Sequence, residues 1–198
     1  MDLFHKIITK TTNTDKTDKN ARIIRLRNDF NQEISQFPQY LLYLHLGWHF
    51  NQSIDRFPQY LLYLHLGIKF NKEIKEFSQY LLYLHLGRDF NQEIKEFPQY
   101  LLYLNLGLYF NREINKFPQH LLYLDLGWDF NKEINKFTQY LLYLNLEDAF
   151  NRKIREIPRY LVYLRLGRYN QKIYNFPESL VKIRYYPSQE HLIPKYLQ

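Results

Sequence analysis

The stretch F-N-Q-S-I-D-R-F-P-Q-Y-L-L-Y-L-H-L-G, Phe50 to Gly67, decides the fold, because the chain repeats its pattern every 20 residues. Phe30, Phe50, Phe70, Phe90, Phe110, Phe130 and Phe150 hold the same phase, and each is followed by Asn, from Asn31 and Asn51 to Asn151. An Ile follows three residues after each Asn, from Ile34 through Ile54 to Ile154. A second Phe comes at Phe37, Phe57, Phe77, Phe97, Phe117 and Phe137, with Ile157 in the last full unit. Pro follows, except where Ser78 and Thr138 replace it. A further unit is one residue short: Asn170, Ile173, Phe176 and Pro177 come early, and the expected Phe before Asn170 is missing.

Twenty residues is too short for a two-helix repeat and suits a single β-coil. In L-Y-L-x-L, Leu42, Leu44 and Leu46 alternate with Tyr43 and His45. That period of two predicts a strand with the three Leu inward and Tyr43 and His45 outward. The return segment, F-N-x-x-I-x-x-F-P, is too short and too broken for a helix, so turns, extended backbone or a brief 3-10 turn are expected there. Stacked coils pair their strands in parallel, giving a repeat solenoid with one parallel sheet and little or no helix in the repeats. The interior is then a set of ladders of Leu42-, Leu44-, Leu46-, Phe50-, Ile54-, Phe57- and Leu61-type side chains. The Asn that follows each Phe, such as Asn51, is polar yet as constant as the core. A short amide at a bend satisfies backbone groups that a buried turn otherwise orphans, so it reads as structural.

Composition agrees with a copied pattern: 19 Tyr and 15 Phe stand against 2 Trp. There is no Cys, which excludes disulfides, thiolate chemistry and Cys-ligated zinc or iron–sulfur sites. No signal peptide is read in MDLFHKIITKTTNTDKTDKN, and no apolar run reaches membrane-spanning length, so an intracellular, cytoplasmic protein (host cytoplasm if viral) is expected. The formal charge of +7 collects toward the C-terminus, where Arg165, Arg168, Lys172, Lys182, Arg184 and Lys195 face only Glu178 and Glu190. Residues 1–20 read as a polar segment or weak cap, 21–181 as the solenoid of about seven to eight coils, and 182–198 as a C-terminal cap. Parallel strands leave an edge at each end, and a poor cap there permits weak end-to-end self-association.

The F-N-x-x-I…P…L-x-x-L-x-L-G pattern over about residues 22–181 resembles the FNIP repeat, a short leucine-rich-repeat-like unit found in amoebal and giant-virus proteins. Phe50, Asn51, Ile54, Phe57 and Pro58 occupy its signature positions, with Leu44 and Leu46 in the preceding strand. The resemblance implies leucine-rich-repeat-like parallel coils. Family members often carry an N-terminal F-box, which couples them to a ubiquitin ligase. Residues 1–20 are too short and polar to form one.

A binding surface is sought where units differ on this constant frame. One column is His45, His65, His85, Asn105, Asp125, Asn145 and Arg165. Beside it, the pair after the strand glycine also varies and includes Trp48, Arg88, Tyr109, Trp128 and Asp129. The neighbouring Tyr43, Tyr63, Tyr83, Tyr103, Tyr123, Tyr143 and Tyr163 form a constant aromatic row. The Tyr row reads first as self-stacking that stiffens the sheet, and second as a platform for a protein partner with Trp48 and Trp128 as anchors. Asp89, Asp125, Asp129, Glu147 and Asp148 crowd the later half of this face, which disfavours nucleic acid. Three His in a straight row do not converge tetrahedrally, so no metal or other cofactor is expected. Phosphate-binding, zinc-protease and nucleophile-elbow motifs are all lacking, so the chain is read as a non-enzyme. The leading reading is a protein–protein interaction module of unidentified partner. The alternatives are a structural or degenerate repeat protein without a specific ligand, and a substrate-recruiting ligase adaptor lacking its own F-box.

Overall fold

A computed structural model describes residues 20–197. The reading of Leu3, Phe4, Ile7 and Ile8 as a short capping helix falls outside those residues. Among the described residues, nine strands of three residues each follow one another in a single parallel sheet, ordered as they are in sequence: β1 Ile23–Arg25, β2 Tyr43–His45, β3 Tyr63–His65, β4 Tyr83–His85, β5 Tyr103–Asn105, β6 Tyr123–Asp125, β7 Tyr143–Asn145, β8 Tyr163–Arg165 and β9 Lys182–Arg184. Each strand residue pairs with its equivalent one unit on, for instance Tyr63 with Tyr83, Leu64 with Leu84 and His65 with His85. The architecture is the parallel β-solenoid expected from the repeat. Helical geometry among the described residues is confined to two 3-10 turns after the last strand, Pro187–Leu192 and Lys195–Leu197. The sheet therefore runs through β9, past residue 181.

One core ladder differs from the sequence expectation. Leu44, Leu46 and Leu61 are fully buried, but the Leu42 column points outward, and Leu62, Leu102, Leu122 and Leu142 are exposed. The buried residue of the Leu-Leu pair is the first, Leu41. Its N–H closes a turn onto the Pro38 carbonyl at 3.2 Å. The N–H groups of Leu42 and Tyr43 then both donate to the Arg22 carbonyl, at 2.8 and 3.1 Å. Two donors on one acceptor mark a corner, and regular pairing begins only at Tyr43. Period-two counting is valid inside the strand and fails across that corner.

The short unit also differs from expectation. Tyr169 fills the slot of the missing Phe: it is fully buried and stacks on Phe150, with ring centroids 6.1 Å apart. The lost residue comes out of the turn after the strand. The phenol oxygen accepts a hydrogen bond from the Ile154 N–H at 3.3 Å, so the added hydroxyl is satisfied.

Polar groups stack with the same discipline. The side-chain carbonyl of each Asn accepts the backbone N–H of the Asn one coil on: Asn51 to Asn31 at 2.8 Å, Asn91 to Asn71 at 2.9 Å, and so along the chain to Asn170 on Asn151 at 3.1 Å. Where Pro gives way to Ser78 or Thr138, the hydroxyl donates to a carbonyl of the previous coil, Pro58 or Gln119. Backbones also touch directly. A Cβ added to Gly87 would lie 1.8 Å from the Gly67 carbonyl oxygen, which no rotamer relieves.

Equivalent rings measure the coil spacing at their own depth. Phe50, Phe70, Phe90, Phe110, Phe130 and Phe150 repeat at 6.1–6.2 Å, whereas the Tyr row on the strand face repeats at 4.1–4.3 Å. Coils that lie closer on one side than on the other form wedges, so the stack bends toward the strand face, which is concave.

The corner makes a direct prediction. Leu104→Ala, at a fully buried position, should cost about 2–5 kcal/mol in urea unfolding. Leu102→Ala, at a position 38% exposed, should cost less than about 1 kcal/mol. Equal losses at the two sites would contradict the corner.

Candidate binding faces

The strand face carries the constant Tyr row and the varied column. Adjacent Tyr rings lie nearly parallel, 2–12° apart, and are half-buried against one another. Arg25 closes the first end, with its guanidinium 5.2 Å from the Tyr43 ring centroid. Burial, followed by the neighbouring phenol, pushes the hydroxyls of Tyr63, Tyr83 and Tyr103 above the usual range. For Tyr123 the second cause is the Asp125 charge. These hydroxyls stay protonated at neutral pH. Offset aromatic pairs contribute about 0.5–1.5 kcal/mol each beyond burial, so the row stiffens the concave side.

The varied column divides into two halves. In the first, His45, His65 and His85 stack with ring centroids 4.4 and 4.2 Å apart. Burial, then the charges of His85 and His45, lower His65 to about 3. Burial lowers His85 to about 4, and burial with Arg25 lowers His45.

In the second half the column is drawn into the fold. The side-chain oxygen of Asn105 accepts the Gly107 N–H at 2.8 Å, that of Asp125 accepts the Gly127 N–H at 3.0 Å, and that of Asn145 accepts the Glu147 N–H at 3.1 Å. Gly107, Gly127 and Glu147 all have positive φ, at 78°, 75° and 53°. Gly47, Gly67 and Gly87, which follow His, do not adopt that backbone. The Asx side chain caps the left-handed turn at these three positions, and Gly167 adopts the same backbone, at φ 55°, after Arg165 without such a cap. Asp125 is buried, and its other oxygen accepts from Asn145 Nδ2 at 3.0 Å. Asn145 Nδ2 also contacts Glu147, whose carboxylate accepts from Arg165 Nη1 at 2.6 Å. Burial, then the Glu147 charge, raises the Asp125 carboxyl above its usual range. The Asx-x-Gly spacing at 105–107 and 125–127 is a sequence signal for the turn caps there, whereas Asn145-x-Glu147 departs from it and the links to Glu147 and Arg165 carry no such signal.

What remains open lies at the rims. Trp48 and Trp128 are 52% and 45% exposed, and Arg88 and Tyr109 are exposed beside them. Asp89 is held by Lys69 and Arg88 at 3.0 and 2.8 Å, while Asp129 is half-buried. At the opposite rim, Tyr40, Tyr60, Tyr80, Tyr100, Tyr140 and Tyr160 form an exposed column next to the outward Leu62-type residues. Sequence reasoning did not single out this stripe, because Leu42 had been assigned inward. No cluster of three or more His, Asp or Glu among the described residues is arranged to hold a metal ion. No described helix is long and apolar enough to cross a membrane.

These features define a leucine-rich-repeat-like solenoid, a class in which a rigid sheet presents side chains on one concave face. Residues 90–129 match the family model described as FNIP Repeat. A solved structure described as CroV588, a novel circular LRR protein, from a giant virus, is similar at 38% identity with a TM-score of 0.75. The likeness covers 81% of this chain, which spans 26% of the length of that one. None of the curated proteins matches.

The imidazole stack predicts a pH response with a definite sign. Ordinary His titrates near pH 6.5, whereas folded His85 and His65 titrate at about 4 and about 3. Below 6.5 the unfolded chain binds protons that the folded chain refuses, so the stability these residues contribute is present above 6.5 and is lost as pH falls toward 4 and 3. The urea midpoint should therefore drop between pH 7 and pH 4.5. Changing His65 and His85 to Asn, the residue at position 105, should flatten that drop. An unchanged slope in the double variant would refute the assignment.

Proposed function

We propose that the chain is a protein-interaction module that binds its partner at the rim of the concave face, with Trp48 and Trp128 as anchors. The observation that carries this reading is their exposure on an otherwise repetitive and closely stacked frame. They occupy the same place in coils four units apart, separated by the differing residues Ile68, Arg88 and Leu108. Lys69 donates its N–H to the Trp48 carbonyl and Asp129 to that of Leu108, both at 2.9 Å. The column is therefore held by backbone bonds and loses little freedom on binding, which favours affinity. Indole rings at such positions are the side chains most often found to dominate an interface.

Tyr109, Arg88 and Asp129 complete this reading as rim contacts. His45, His65 and His85 supply a flat, uncharged floor at neutral pH, beside Tyr43, Tyr63, Tyr83, Tyr103, Tyr123 and Tyr143. Asp125 and Arg165 act at one remove, by shaping the turns that carry the rim. The likeness to a circular LRR protein supports a scaffold role and leaves the partner to be found by experiment.

The double variant Trp48→Ala with Trp128→Ala tests the proposal. Both rings are largely in solvent, so the urea midpoint should move by less than about 1 kcal/mol equivalent. Proteins captured by the wild type from a lysate, quantified by mass spectrometry, should include at least one that the variant loses about tenfold or more. Identical capture profiles would favour a repeat protein with no dedicated ligand at this rim.

A further inference from the structure

Strand β9 ends the sheet with one side unused. In a parallel ladder, alternate residues direct their backbone groups to opposite neighbours. Lys182 N–H donates to the Val162 carbonyl at 3.1 Å, and the Arg184 carbonyl accepts from the Leu166 N–H at 2.9 Å. Lys182 and Arg184 thus face β8. Ile183, between them, directs its N–H and C=O away from β8, toward the place where every inner strand receives the next coil. No hydrogen bond among the described residues engages those two groups.

Residues 185–197 leave the ladder and do not form the next coil. After Tyr185 and Tyr186 it enters the 3-10 turn Pro187–Leu192, where Gln189 Nε2 donates to the Tyr169 carbonyl. Ile193 is buried against the core beyond it. This segment seals the corner near Tyr169. Val181 is left 80% exposed, and Ile183 is only half-buried although its partner Leu164 is fully buried. An open hollow of about 360 Å³ adjoins the strand, lined by Arg165, Gly167, Ile183, Arg184, Tyr185 and Tyr186.

Charge selects the occupant. Arg165 and Arg168 are paired with Glu147 and Asp148, at 2.6 and 3.3 Å. Lys182 and Arg184 are exposed and have no ion-pair partner among the described residues. A second copy docking its β1 in the register of the sheet would set Arg25 against Arg184, with Arg22 and Arg27 close by. Like charges directly opposite each other are destabilising. We propose that β9 is a docking edge for an extended acidic segment of a partner protein, which adds a tenth strand through Ile183 and places carboxylates beside Lys182 and Arg184. Alternation fixes the ligand pattern as acidic, apolar, acidic, with the apolar side chain covering the end of the core above Ile183.

The probe is a capped, fluorescein-labelled peptide of alternating Glu and Val, compared with one of alternating Lys and Val. Fluorescence anisotropy with the intact chain should give the Glu/Val peptide an affinity at least about tenfold higher, and the difference should shrink in about 0.5 M salt. Amide exchange should slow at Ile183 when the peptide binds. Ile183→Pro removes the outward N–H along with the half-buried Ile side chain and leaves the hydrogen bonds to β8 in place, so the circular dichroism spectrum should persist while affinity falls about tenfold or more. Lys182→Glu with Arg184→Glu should reverse the peptide preference, and this variant decides the matter if the Pro variant fails to fold. Equal affinity for the two peptides, or binding without protection of Ile183, would overturn the proposal. Concentration-dependent oligomers of the wild type that Ile183→Pro abolishes would overturn it too, because the edge would then be taken by a second copy.

Discussion

Each coil lies on the one before it at backbone contact distance, and the rest of the structure answers to that closeness. At Gly67 and Gly87 the carbonyl of one coil occupies the space a side chain would need on the next. At the Asn ladder, one amide oxygen per coil meets the N–H arriving 20 residues later. Losing such a hydrogen bond costs about 0.5–1.5 kcal/mol net, and the loss would recur in every unit. The Asn ladder constrains the stacking together with the Leu core, because each Asn must meet the N–H of the next coil. The short unit obeys the same constraint. Its deletion falls in the turn before Tyr169, and Asn170 still finds Asn151 at 3.1 Å.

Much of this was legible from spacing alone. Strict recurrence of Phe, Asn and Leu implied superposed coils, and superposition implied that like meets like. The Leu42 column was misread because alternation was extended past the strand into the corner made by the Pro38 turn. Adjacent Leu41 and Leu42 cannot both face inward, and nothing in their chemistry says which does. The missing Phe was likewise a matter of alignment: Tyr169 directly precedes Asn170 and carries the same ring. The Asp125 network was less accessible to sequence reasoning, because it depends on φ two residues away as much as on the residue itself.

The division of the varied column changes what variation means on a repeat surface. Differences between units point to contact chemistry in the sequence, yet Asn105, Asp125 and Asn145 spend a side-chain oxygen on capping the turn that follows them. Asp125, Asn145, Glu147 and Arg165 form one connected set in which the Glu147 carboxylate links Asn145 to Arg165. Position 147 is where Gly has been lost, and the left-handed backbone there is stabilised by the Asn145 oxygen. A non-Gly residue in that conformation costs roughly 1–2 kcal/mol, and the neutral hydrogen bond to the Asn145 oxygen, about 0.5–1.5 kcal/mol net, offsets much of it.

Curvature carries the same reasoning to the surface. Bending toward the strand face brings Tyr and His rings within 4.1–4.4 Å of one another and leaves little room between them for a ligand group to enter. On the rims, equivalent rings such as Tyr40 and Tyr60 stand 6.1 Å apart, and Trp48 and Trp128 project into solvent. The concave sheet sets the spacing and the stiffness, and the binding proposed for Trp48 and Trp128 rests on the open margins because the floor is already filled by its own stacking.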